Sequence, residues 1–197
     1  MNDNKTFYII AGANGSGKTT FALNYKELNN LHFINADEIA KAYDSDNINK
    51  YNLKAGKEFF RQLDDSLTKD ESFIIETTLS GKYLKKVINK AKNNNFKIVL
   101  VYLFLETDIE NILRVQNRVL NGGHDVPVED IKRRYTRSRE LFINLYKDMV
   151  DKWILFFNGD DNYELIANSE QIFNDEKYSK LLSHPIKDSL NKGQILK

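Results

Sequence analysis

The chain has 197 residues, with 29 lysines and arginines against 28 aspartates and glutamates, and it contains no cysteine. A formal charge of +1 supplies no global field to draw it to nucleic acid or a membrane, and the absence of thiols excludes disulfides, thiolate catalysis and cysteine-bound zinc. The length suits one domain with a real core, and the longest apolar run, Ile98 to Leu105, is too short to cross a bilayer, so a soluble cytoplasmic protein is expected.

The first residues, Met1 to Lys5, lead directly into a predicted strand, Phe7–Ala11, and leave no room for a signal peptide. The strand runs into Gly12, Ala13, Asn14, Gly15, Ser16, Gly17, Lys18, Thr19 and Thr20, then into a helix from Lys18 to about Lys26. A strand, the pattern G-x-x-x-x-G-K-[ST] and a helix together make a P-loop. Its glycines let successive N–H groups turn into one concavity, and the helix adds its positive end. Lys18 can reach terminal phosphates and the Thr19 hydroxyl can ligate magnesium. Residues 12–20 are therefore expected to bind a nucleoside triphosphate with Mg²⁺.

A short strand, Leu31–Asn35, ends at Ala36-Asp37 and a helix from Glu38 to Tyr43. A polar loop, Asp44–Asn49, precedes a helix whose inward side is predicted to carry Leu53, Phe60, Leu63 and Leu67. Ser72–Glu76 is the third strand; Leu84, Val87, Ile88 and Ala91 then recur at helical spacing. Phe96–Leu105 reads as a central strand buried on both faces. Thr107 and Glu110 form a capping box for a helix predicted to turn Ile109, Ile112, Leu113 and Leu120 inward. After the loop Asn121–Pro127, a long helix carries the stripe Val128, Ile131, Tyr135, Phe142, Leu145 and Met149. Trp153–Phe157 and Tyr163–Ala167 close the sheet around Gly159–Asn162, and the pieces after Asn168 form a terminal helix and tail.

Strands alternating with helices predict an α/β fold of three layers, a parallel central sheet covered on both faces. Residues 1–168 are expected to form the P-loop domain, with 169–197 as a helix and tail of the same domain. Ligands in such sheets bind beyond the carboxyl ends of the strands, where each candidate residue falls. Asp37 stands at the second strand's tip, where a carboxylate can orient an attacking hydroxyl and accept its proton; the alternative use is a helix N-cap. Glu76 and Thr78 stand at the third, placed to hold Mg²⁺ through water or to bind an acceptor, or else to open a helix. Arg114 and Arg118 sit four apart, on the helix face opposite the predicted apolar stripe, and suit a moving phosphoryl group; two arginine-bearing helices joined by Gly122-Gly123 describe a lid. Arg133 and Arg137 read as a solvated face, His124 as a loop-ordering partner of Asp125, and no second histidine stands at zinc spacing. Lys82, Lys85, Lys86, Lys90 and Lys92 form a local cluster, also read as a solvated face, which makes a nucleic-acid partner improbable.

The order and spacing of Ala11–Thr20, Asn35-Ala36-Asp37-Glu38-Ile39, Glu76-Thr77-Thr78-Leu79-Ser80 and Arg114-Val115…Arg118-Val119…Gly122-Gly123-His124-Asp125-Val126-Pro127 resemble the zeta-toxin family, over about Phe7 to Ala167. The resemblance implies a P-loop kinase that uses ATP and Mg²⁺ to phosphorylate a sugar hydroxyl of UDP-N-acetylglucosamine, and an antitoxin protein as a partner. It further implies that Lys18 holds the phosphates, Thr19 the metal, Asp37 acts as base, Glu76 and Thr78 contact the acceptor, and Arg118 with Arg114 stabilises the transferring group. Two rival readings remain at this point: a kinase of nucleotides or nucleic-acid ends, and a non-catalytic module gated by ATP.

Overall fold

The computed structural model describes residues 5–44, 48–69, 71–159 and 162–183. Six strands, β1 (Thr6–Ala11), β2 (His32–Ile34), β3 (Phe73–Thr77), β4 (Lys97–Phe104), β5 (Lys152–Gly159) and β6 (Asn162–Asn168), form one sheet in the order β2-β3-β1-β4-β5-β6. The first five are parallel, as expected, and β6 is antiparallel to β5. The short connection after Gly159 explains that difference, because parallel neighbours need a crossover of a dozen residues or more. Residues 160 and 161 of the expected turn lie outside the described residues.

Helices α1 (Lys18–Asn29), α2 (Ala36–Tyr43), α3 (Ile48–Thr68), α4 (Leu84–Asn93), α5 (Asp108–Leu120), α6 (Val128–Leu141) and α7 (Asp175–Leu182) surround the sheet. The apolar runs of β1 and β4 follow from that cover on both faces. Phe7, Ile9 and Ala11 join Ile75, Leu100 and Tyr102 in one core, while Ile10 joins Ile74, Val101 and Leu103 in a second with Ala22 of α1. Strand alternation thus divides the central strands between two cores.

Three predicted helix faces are corrected. On α3 the buried side carries Ala55, Phe59, Leu63 and Leu67, whereas Leu53 and Phe60 are exposed. On α5 Ile109, Leu113 and Leu120 are exposed; Asn111 and Val115 are buried instead. On α6 Ile131 and Tyr135 are buried as expected, but Val128 is exposed and the α-helix gives way to a π-helical turn at Phe142–Tyr146. That turn resets the phase of the stripe, burying Tyr146 beside Phe142. The capping box at Thr107 and Glu110 is present.

Helices α5 and α6 meet through a small apolar cluster of their own, Val115, Val126 and Ile131 with Ile112 against it. Two polar contacts seat α6 on the sheet: the Tyr102 hydroxyl donates to Ser138 Oγ at 3.0 Å, and the Tyr135 hydroxyl donates to the Glu106 carbonyl at 2.5 Å. Helix α7 returns to the core through buried Leu181. The expected tail beyond Ser183 and the middle of the Asp44–Asn49 loop lie outside the described residues. Among the described residues no helix is long and apolar enough to cross a membrane.

Candidate active site

The glycine loop presses against the strands beside it. A Cβ on Gly12 (φ 146°) would lie 2.1 Å from the Leu103 carbonyl oxygen, and one on Gly17 (φ 86°) would lie 2.2 Å from Asn158 Nδ2. Gly17 is also the residue before α1, with no side-chain cap, so the first N–H groups of that helix are left for a ligand. From β5 and β6, Asn158 Nδ2 donates to the Ser16 carbonyl and the Tyr163 hydroxyl to the Gly17 carbonyl, both at 3.0 Å. The Ser16 and Gly17 carbonyls are therefore taken up by the protein. On the other side, Asn111 Nδ2 donates to the Asn14 carbonyl.

Lys18 is buried, donates from Nζ to the Ala13 carbonyl at 2.8 Å and lies 3.9 Å from Glu76 Oε1. Burial pulls its pKa down, and the carboxylates of Glu76 and Asp37 oppose that shift. Glu76 is held on both oxygens: Thr19 Oγ1 donates to Oε1 at 3.1 Å and Asn35 Nδ2 to Oε2 at 2.6 Å. Burial pushes its pKa up, Lys18 and the Thr19 hydroxyl counter this, and Asp37 and Glu38 add to it.

The register Ile34↔Ile75 brings Asn35 alongside Glu76. Asn35 Oδ1 accepts the N–H groups of Asp37 at 2.7 Å and Glu38 at 3.3 Å, which makes Asn35 the N-cap of α2. The capping reading of Asp37 is thereby overturned: Asp37 lies in the first turn, with its carboxylate exposed. Past the tip of β3, Thr78 Oγ1 pairs with Ser80 Oγ at 3.0 Å, and the Thr77 hydroxyl with that of Tyr83 at 3.0 Å. Leu79 between them is buried with a left-handed backbone (φ 55°), which turns the chain sharply at this point.

Two cavities of about 410 Å³ each open here. Asn14, Gly15, Gly17, Lys18, Thr19 and Thr20 line the first, together with Arg114, Arg118, Asn158 and Tyr163. Gly12, Ala13 and Ser16 are buried within the loop. The second is lined by the aromatic rings of Phe59, Phe60 and Tyr83 and by Ser80 and Arg134. Asp37, Glu76 and Thr78 line both cavities and so mark their border. Arg118 donates from Nη2 to the His124 carbonyl at 2.6 Å, so the Gly-Gly-His loop holds this arginine through its backbone.

Arg134 received no role from the sequence. It faces the second cavity while its Nη1 donates to Asn14 Oδ1 of the P-loop at 3.2 Å, and it lies 3.6 Å from Asp130. Its place inside the run Arg133-Arg134 gave no signal; only the packing of α6 separates the two. Arg133 pairs with Asp130 at 2.9 Å and lines neither cavity, and Arg137 is exposed and lines neither. Lys90 and Lys92 of the lysine cluster pair with Asp64 and Asp151.

The donor set suits a hard cation. The Thr19 hydroxyl and the Glu76 carboxylate are oxygen donors 3.1 Å apart beside the glycine loop, the type of group magnesium takes while keeping waters and binding phosphates. Among the described residues no cluster of three or more acidic, histidine or cysteine side chains could hold a metal without such a ligand.

A glycine loop at the tip of a central parallel strand, with helices on both faces and an arginine-bearing pair beside it, defines a P-loop kinase fold. The sequence profile of the Zeta toxin family matches residues 2–171, and the chain belongs to that family. Membership implies nucleotide binding. An uncharacterized protein of Haemophilus influenzae is 29% identical over 135 residues, covering 68% of this chain and 94% of that protein. Among solved structures, AvrRxo1-ORF1:-ORF2 with ATP is similar at a TM-score of 0.73 and 16% identity, over 90% of this chain and 63% of that one. This chain therefore spans somewhat under two thirds of that relative. The PezAT toxin-antitoxin system of Streptococcus pneumoniae matches at 0.60 and 15% identity, over 94% of this chain and 81% of that chain. A gluconokinase of Sinorhizobium meliloti matches at 0.52 and 12% identity, over 81% and 86% of the two chains. At these identities the solved structures establish the fold.

Proposed function

We propose that this protein is an ATP- and Mg²⁺-dependent kinase that phosphorylates a hydroxyl of a small molecule, with a UDP-sugar such as UDP-N-acetylglucosamine as the favoured acceptor. The observation that carries the reading is the border of the two cavities. A phosphoryl group passing from one ligand to another must cross a place where both can be touched, and Asp37, Glu76 and Thr78 line both sides of it.

The glycine loop and the start of α1 cradle the phosphates with backbone N–H groups, and Lys18 leaves Ala13 to meet the terminal ones. Thr19 and, through water, Glu76 would hold magnesium, which when bound neutralises charge on the phosphate oxygens. Asp37, exposed and free of capping duty, orients the acceptor hydroxyl and takes its proton as the new O–P bond forms and the bond from the γ-phosphorus to the departing ADP oxygen breaks. Arg118 and Arg114 lie on the nucleotide side and Arg134 on the acceptor side, so planar guanidinium groups flank the group in transit. Thr78 donates to the acceptor. The aromatic wall of the second cavity favours an acceptor with a flat, apolar-faced ring, and Arg134 one with negative charge. A nucleotide sugar has both.

The toxin-antitoxin relatives support an antitoxin protein as the partner, and we place the reaction in the cytoplasm, with residues 169–197 belonging to the kinase domain. The test is to incubate the full chain with γ-labelled ATP, Mg²⁺ and separate UDP-sugars, nucleosides, free sugars and oligonucleotides. Label should appear in a UDP-sugar. Label confined to oligonucleotides or free nucleotides would replace this acceptor, and tight ATP binding without transfer to anything would make the protein a gated binding module.

A further inference from the structure

Asn35 is 6% exposed and both polar atoms of its side chain are engaged. Its Oδ1 accepts from the backbone of Asp37 and Glu38, and its Nδ2 donates to Glu76 Oε2. The amide cannot be reversed, since a flip would set oxygen against carboxylate and NH₂ against two N–H donors. Serine and aspartate cap helices about as well as asparagine does, so the cap by itself does not require this residue. What asparagine adds is the donor to Glu76, and the other oxygen of Glu76 is already bound by Thr19 of the P-loop. An unbroken hydrogen-bonded line thus runs from the Thr19 hydroxyl in the first cavity, through Glu76 and Asn35, to the backbone of Asp37 at the edge of the second.

From this line we infer that Asn35 is a positioning residue that couples the two cavities, so that filling the nucleotide site sets where Asp37 stands. The inference rests on the kinase reading for what occupies each cavity. When Thr19 turns its hydroxyl toward a bound nucleotide and its cation, Glu76 loses a donor and re-seats. Asn35 is fixed to the same carboxylate and carries the change into the first turn of α2. Asp37 then adopts its working place only with nucleotide present, and nucleotide and acceptor strengthen each other's binding.

Amide hydrogen exchange on the full chain tests this without any acceptor, using a non-hydrolysable ATP analogue with Mg²⁺. In the wild type the P-loop segment 12–20 slows, and segment 36–43 slows with it by about tenfold, as a bond to a charged group tightens. Asn35→Ser keeps a capping oxygen but cannot reach Glu76. It should retain P-loop protection and the ligand-free exchange of 36–43, yet lose the response of 36–43 to nucleotide. Asn35→Thr, a second capping hydroxyl too short to reach Glu76, should behave alike and serves if the serine variant folds poorly. Against the UDP-sugar acceptor, either variant should lose about tenfold in kcat with little change in KM for ATP. A structural cap alone predicts wild-type behaviour from both. Full transmission in either variant, or a wild-type P-loop that is protected while 36–43 stays silent, overturns the inference. Absence of P-loop protection in the wild type overturns the nucleotide reading first, and the coupling with it.

Discussion

The hydroxyl of Thr19 and the carboxylate of Glu76 are joined by a 3.1 Å hydrogen bond that crosses from the P-loop to the tip of β3. Lys18 stands 3.9 Å from the same carboxylate, so this largely covered acid at the border is shared by a cation, a hydroxyl and the amide of Asn35. A nucleotide held by Lys18 and Thr19 would compete with these contacts to Glu76.

Lys18→Ala removes the buried ammonium that meets the terminal phosphates. ATP affinity measured by calorimetry should fall by about a hundredfold, the scale expected for losing a charge-assisted contact in a dry site. An unchanged affinity would place nucleotide elsewhere.

Gly17→Ala meets two obstacles, a left-handed backbone and the amide of Asn158 at 2.2 Å. The backbone alone costs roughly 1–2 kcal/mol. The variant should melt earlier and bind ATP poorly. Adding Asn158→Gly removes the collision but also the bond to the Ser16 carbonyl, so it should not bring stability back to that of the wild type.

Arg134→Ala should reduce kcat/KM for transfer by about a hundredfold, within the range for charge stabilisation of a transferring phosphoryl group. Arg134→Lys should not rescue it, because an ammonium cannot bridge Asn14 and a ligand with one planar fork. Arg133→Ala, which only breaks a surface pair with Asp130, should leave kinetics near wild type.

The edge-to-face pair Phe60–Tyr83, with ring centroids 5.5 Å apart, forms part of the second cavity's wall. Phe60→Ala should raise KM for the acceptor by about tenfold, the value of one lost ring contact, and leave KM for ATP unchanged. A rise confined to ATP would exchange the roles of the two cavities.

Much of the nucleotide side could be read from consecutive residues. Gly12 to Thr20 form a contiguous motif whose function needs that local order, and Asp37 and Glu76 stand where strands end. What the sequence could not supply was rotation. Phe59 and Phe60 are adjacent and equally apolar and both reach the second cavity, yet a step of about 100° around α3 buries Phe59 in the core and leaves Phe60 exposed. On α5 the capping box located the helix start but not its roll. Buried Asn111 turns to Asn14, Arg114 and Arg118 turn to the cavity, and Ile109, Leu113 and Leu120 are left outside. Arg134 was hidden for the same reason, one residue from an arginine that faces solvent. Asn35 went unassigned because Asp37, two residues on, is an equally good cap by composition.

Single-turnover transfer by wild type and by Asp37→Asn, at saturating ATP and Mg²⁺ with the UDP-sugar acceptor, tests the central claim most directly. The asparagine variant should bind ATP like the wild type and transfer phosphate at least about a hundredfold more slowly, the loss expected when a positioned base is removed. Equal transfer rates in the two proteins would contradict the assignment of Asp37 as the group that readies the hydroxyl.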